Sequence, residues 1–141
     1  MQSKASAVWN GGLKDGRGTV STDSKVLSDV PYTFATRFER RQGTSPEELI
    51  AAAHASCFSM AFSGELGKAG LTPESIQTTA TVTLGKTDSG PTVVSSHLET
   101  VARISDADEQ KFQAAAEKAR AGCPISRLLN TEITVSAKLE R

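Results

Sequence analysis

The chain has little of what most binding and secreted proteins rely on. Lys plus Arg number 16 and Asp plus Glu number 16, so no net field gathers phosphates or anionic lipid, and no charge run forms a tail. That balance counts against nucleic acid and membrane-surface partners and suits a small, near-neutral one. No segment reaches the roughly 18 consecutive apolar residues of a membrane span. Met1-Gln2-Ser3-Lys4-Ala5-Ser6 has no apolar stretch after its basic residue and does not read as a secretory signal. These two features predict a cytoplasmic address, where a cysteine pair is more often catalytic or redox-sensing than structural. There are only two cysteines and two histidines, with no Cys-x2-4-Cys or His-x3-5-His hook of a structural zinc site. Repeats, low-complexity stretches and linkers are absent too, and 141 residues predict one domain over 1–141.

What is present reads as α+β. Short β-leaning runs at Ala5 to Trp9 and Gly18 to Ser21 flank the turn signals Asn10-Gly11-Gly12 and Asp15-Gly16-Arg17-Gly18, which predicts an N-terminal hairpin. Tyr32 to Phe38 adds another short run. Ser45-Pro46-Glu47-Glu48 carries a capping hydroxyl, proline at the first helical position and glutamate at the third, a capping box. The helix it opens, Pro46 to Leu66, is apolar on nearly every side and ends at Gly67 or Gly70. Apolar all round means buried all round, and a chain of this size is hard pressed to wrap such a helix alone, which points to a partner chain. Thr78 to Leu84 and His97 to Ile104 predict a hairpin. Asp106-Ala107-Asp108-Glu109 opens a further helix that stops at Gly122, and a short helical segment, Ile125 to Leu129, follows Cys123-Pro124. Ile133, Val135, Ala137 and Leu139 alternate with polar residues, as in a half-buried antiparallel strand.

Chemistry rests with the cysteines. Cys57 lies eleven positions beyond Pro46, past the reach of the helix dipole, so burial alone would raise its pKa and leave it an inert core filler. A nearby cation would change that, and Arg37-Phe38-Glu39-Arg40-Arg41 lies just upstream. Cys123, between Gly122 and Pro124, occupies an N-cap-like position where backbone N–H groups favour a thiolate. On local physics Cys123 is the better thiolate, though a cysteine merely tolerated at a helix junction reads the same. His54 and Cys57 share a helix face, which admits a Cys2His2 metal set with Cys123 and His97, cysteine-hydrolase chemistry with His54 as base, or a plain hydrogen-bonded core histidine. Glu47 either compensates the helix dipole or orients an arginine. Ten residues of straight helix separate it from Cys57 by about 15 Å. An arginine serving both needs a kinked helix or, more simply, two chains meeting at a two-fold interface.

The runs Thr36-Arg37-Phe38-Glu39 and Gly43 to Ala61, the latter reading Gly-Thr-Ser-Pro-Glu-Glu-Leu-Ile-Ala-Ala-Ala-His-Ala-Ser-Cys-Phe-Ser-Met-Ala, resemble the osmotically inducible protein C (OsmC) family. So do Gly18-Thr19-Val20-Ser21-Thr22 and Lys118 to Ser126 around Gly-Cys-Pro-Ile-Ser. The resemblance spans essentially the whole chain and is nearer to the OsmC branch than to the sister organic hydroperoxide resistance proteins. It implies an intertwined homodimer with antiparallel sheets wrapped around long central helices, and a thiol peroxidase acting on organic hydroperoxides and less well on hydrogen peroxide. The peroxidatic cysteine falls on Cys57, the resolving cysteine on Cys123, the activating arginine on Arg37 and its supporting glutamate on Glu47. No metal or organic prosthetic group is implied. The implied reductant is a dithiol such as a lipoyl protein. The rival readings are a thiol-based redox sensor without steady-state turnover and a structural domain whose cysteines are only packed.

Overall fold

A computed structural model describes residues 1–141. The chain forms two compact units, Met1–Leu49 and Ile50–Arg141. The first holds a three-stranded antiparallel sheet of β1 (Ala5–Asn10), β2 (Arg17–Thr22) and β3 (Val30–Tyr32) in the order β1-β2-β3. The expected hairpin is β1–β2, paired from Ala5↔Thr22 to Asn10↔Arg17. Gly18 is required where it stands. It sits across from Trp9 and Tyr32, and a Cβ there would lie 2.6 Å from the indole and 2.7 Å from the phenol ring. The run through Phe38 is not one strand. Thr33 breaks it by capping a short helix, α1 (Phe34–Phe38), with a reciprocal Thr33–Thr36 capping box.

α2 (Pro46–Lys68) starts as its residues predict, with the Glu48 N–H donating to Ser45 Oγ at 3.1 Å. The Glu48 carboxylate does not close the box. It accepts from the Thr44 hydroxyl instead, at 2.9 Å. Gly70, at φ 78°, ends the helix, with Leu71 N–H returning to Leu66 O.

In the second unit β4 (Ser75–Thr87) and β5 (Gly90–Arg103) form the expected hairpin, longer than the alternation alone suggests. β6 (Glu132–Glu140) joins the other edge of β5, giving the order β4-β5-β6. Its direction corrects the antiparallel expectation: β6 runs parallel to β5, from Ser95↔Glu132 to Arg103↔Glu140. The reason is the crossover. Between the two strands α3 (Glu109–Gly122) and α4 (Pro124–Leu128) carry the chain back to the start of β5. Alternation reports that one strand face is buried and is silent about direction. α3 is capped by Asp108, which accepts from Lys111 N–H at 2.8 Å, two residues later than the Asp106 box implies.

The core of this unit joins Phe58, Phe62 and Leu66 of α2, Leu98 and Ala102 of β5, and Phe112, Ala115, Ala116 and Ala119 of α3. Phe62 stacks on Phe58 and Phe112, with ring centroids 5.4 and 5.3 Å apart. One chain buries only one face of α2, and the face it leaves open is the one expected to need a partner chain. His54, Phe58, Phe62 and Leu66, spaced by four, face inward, whereas Ala52, Ala53, Ser56, Met60 and Ser63 are exposed. α2 has the length and mean hydropathy, 1.2, that would let it cross a bilayer on composition alone. Its inward face is already committed to the sheet and α3.

Candidate active site

In the first unit α1 and the start of α2 present Arg37 and Glu47 to each other. Arg37 Nη2 donates to Glu47 Oε1 at 2.8 Å, and Nε donates to both carboxylate oxygens at 3.2 and 3.3 Å. Glu47 is buried and Arg37 exposed, its side chain 38% accessible, so the fork is held from its buried end. The guanidinium also lies 5.1 Å from the centroid of the Phe38 ring. Glu47 therefore does more than compensate the helix dipole. It takes the Nε and Nη2 edge and leaves Nη1 for another acceptor.

The second unit brings together the two cysteines, as free thiols. Cys57, on α2, is half-buried and opens into a concavity of about 530 Å³ walled by Ala53, Met60, Ala61, Pro124 and Ile125. A larger hollow of about 610 Å³ over the sheet, at Gln77–Thr79, Glu99–Val101 and Ser136–Lys138, contains neither cysteine. The Cys57 thiol is pushed above its ordinary value, first by burial and then by the neighbouring Cys123 side chain, against the downward pull of the Ile125 backbone N–H. Unaided, Cys57 is a poor thiolate.

Cys123 is fully buried. It caps both neighbouring helices: its own N–H donates to Ala119 O at the end of α3, and its sulfur accepts from Ser126 N–H at 3.3 Å at the start of α4. The N-cap geometry read from Gly122-Cys123-Pro124 is present, and it belongs to the cysteine with less access to solvent.

His54 is fully buried between two hydroxyls, with Nδ1 2.6 Å from Ser96 Oγ and Nε2 2.8 Å from Ser126 Oγ. Burial lowers its pKa, which favours the neutral imidazole. Neither serine stood out in the sequence. Ser96 is 42 residues from His54 and Ser126 is 72, and no local pattern marks such partners. The Cys2His2 set does not assemble. His97 follows Ser96 on β5, so its side chain leaves the opposite face of the sheet and hydrogen-bonds Thr134 of β6. No cluster of three His, Cys, Asp or Glu side chains is close enough to share a metal ion.

A family model described as OsmC-like protein matches residues 39–138. The chain is 49% identical over 140 residues to Peroxiredoxin OsmC of Escherichia coli (strain K12), across 99% of this chain and 98% of that protein. A Shigella flexneri protein of the same name matches with the same identity and coverage. Among solved structures, the organic hydroperoxide resistance protein OhrB of Bacillus subtilis superposes with a TM-score of 0.68 at 25% identity, covering 97% of this chain and 98% of that one. An OsmC-like protein from Mycoplasma pneumoniae reaches 0.76 at 16% identity over 100% and 99%, a likeness of fold alone.

Proposed function

The chain belongs to the OsmC family, and from that premise we propose that it is a thiol peroxidase that reduces organic hydroperoxides through Cys57. The observation that carries the reading is the unequal access of the cysteines. Cys57 opens into a concavity with almost wholly apolar walls, and Cys123 is sealed behind it. An alkyl peroxide can reach only the first. Local thiolate chemistry favoured Cys123, but a buried thiolate cannot meet a substrate, so access outweighs ionisation in assigning the first step.

Cys57 attacks the distal peroxide oxygen as the thiolate. The O–O bond breaks, the alcohol leaves with a proton, and Cys57 is left as the sulfenic acid. Cys123 then condenses with it to a disulfide, and a dithiol such as a lipoyl protein reopens the bond by exchange. Because burial raises the Cys57 pKa, a cation must offset it, and Arg37 is the candidate: its charge is permanent and Glu47 fixes its fork. Glu47 and Cys57 are ten residues apart on one helix, about 15 Å of rise. Their cooperation is most simply met in a homodimer, where the Arg37–Glu47 pair of one protomer serves Cys57 of its partner. The exposed small-residue face of α2 offers such a dimer a surface.

The test is consumption of cumene hydroperoxide with a dithiol present. Repeated turnover that disappears in Cys57→Ser, with Cys123→Ser stalling as sulfenic acid after one equivalent, supports the reading. A single equivalent consumed by the unaltered protein would identify a redox sensor, and the reverse mutant pattern would make Cys123 the first to react.

A further inference from the structure

The condensation proposed above leaves one proton unaccounted for. Cys123 must lose its S–H proton before its sulfur can attack, and complete burial denies it water as the acceptor. Three side chains that the peroxide step does not use mark a way out. Ser126 Oγ lies 3.1 Å from Cys123 Sγ, His54 Nε2 lies 2.8 Å from Ser126 Oγ, and Ser96 Oγ lies 2.6 Å from His54 Nδ1. They come from α4, α2 and β5, and all are buried. Packing alone does not call for such a chain. Every buried polar group in it must be satisfied by its neighbours at a desolvation cost that an apolar side chain of similar size would avoid.

Resting on the reading of Cys123 as the resolving thiol, we infer that His54, acting through Ser126, accepts the Cys123 proton during disulfide closure. Before closure Nδ1–H donates to Ser96 Oγ, so Nε2 accepts from the Ser126 hydroxyl, whose oxygen accepts from the Cys123 thiol. As Cys123 attacks, its proton passes to Ser126 Oγ while the serine's own proton passes to Nε2. The Cys123 electron pair forms the S–S bond, the Cys57 S–O bond breaks, and hydroxide leaves into the concavity. The proton from Cys123, held on His54 at the end of the step, and the hydroxide from Cys57 together make up the water lost. The Cys123 sulfur is oxidised, the sulfenic sulfur is reduced, and no further reagent is consumed. Ser126 then offers the developing thiolate two donors, its hydroxyl and its backbone N–H, the latter 3.3 Å from the sulfur. Both partners of the imidazole, Ser96 from β5 and Ser126 from α4, are uncharged, and no ion pair reaches it, so burial alone perturbs it. His54 is a positioning residue, since it reaches the reacting sulfur only through Ser126.

The experiment follows the full chain through one turnover with one equivalent of cumene hydroperoxide, timing sulfenic acid by dimedone trapping and disulfide by mass. His54→Asn and Ser126→Ala should form sulfenic acid at the normal rate but close the disulfide at least tenfold more slowly. Their closure should climb about tenfold per pH unit above neutrality, because the Cys123 thiol must then ionise to solvent during brief openings of the site before it attacks, whereas closure in the unaltered protein stays level. Ser126→Thr, which keeps the hydroxyl, should recover most of the closure rate. Closure in Ser126→Ala at the normal rate with a level pH profile overturns the relay, as does failure of Ser126→Thr to exceed Ser126→Ala. If the unaltered protein forms sulfenic acid but never the Cys57–Cys123 disulfide, the resolving role of Cys123 fails and the relay falls with it.

Discussion

His54 gives the structure a measurable sensitivity to mild acid. Its imidazole is fully buried against two hydroxyls and its pKa lies below the ordinary 6.5. In the unfolded chain the same ring titrates near 6.5. Between that value and the folded one, the unfolded state binds a proton that the folded state refuses. The contribution of a neutral His54 is therefore fully present above pH 6.5 and is lost as pH falls through the window beneath it. One proton per chain limits the loss between pH 7.5 and 5.5 to at most about 1.4 kcal/mol. For 141 residues the unfolding entropy is on the order of 0.3 kcal/mol per degree, so that ceiling corresponds to about 5 °C in Tm. The assay is urea unfolding of the native protein and His54→Asn at fixed protein concentration across this range. The variant is less stable throughout because Ser96 and Ser126 lose a partner, but its stability should fall less steeply with acid. Carboxylates titrate alike in both proteins, so the difference in slope isolates His54. Equal slopes would falsify the buried neutral imidazole.

Phe62→Ala removes the ring that links Phe58 to Phe112 and should cost about 3–5 kcal/mol, a fall of roughly 10 to 17 °C in Tm by calorimetry. A loss below 1 kcal/mol would mean that α2 and α3 do not share this contact in solution. Glu47→Gln keeps the shape of the residue that grips Arg37 but removes its charge and one acceptor oxygen. It should lower kcat/KM for cumene hydroperoxide by about tenfold, in keeping with the loss of a charge-assisted hydrogen bond. Because the arginine is exposed, Tm should move by no more than a few degrees. Unchanged kinetics would detach the pair from the chemistry.

Much of the molecule is legible locally. Ser45-Pro46 starts α2 and Gly70 ends it, Asn10 to Gly16 turns the first hairpin, and Gly122-Cys123-Pro124 places a cysteine at a helix N-cap, because each feature depends on residues within a turn or two of one another. The boundaries that slipped did so for equally local reasons. Thr33 competes with the strand at Tyr32 by capping α1, and Asp108 captures the Lys111 N–H before Asp106 can cap α3.

The residues 37, 47, 57 and 123 were likewise visible in the sequence, as a reactive amino-acid set at positions resembling those of one family. What only the tertiary structure decided is which groups each one meets. β6 lies parallel to β5 because two helices intervene, a consequence of chain path that alternation does not encode. Cys57 opens to a concavity while Cys123 is sealed, a difference of burial rather than of local backbone, and the proposed order of reaction rests on it. His54 finds Ser96 and Ser126 across 42 and 72 residues because hydrogen-bond partners buried together are chosen by folding. Spacing along the chain fixes helix faces and caps over a few residues. Over longer separations, exposure and partnership are fixed by which surfaces the fold brings into contact.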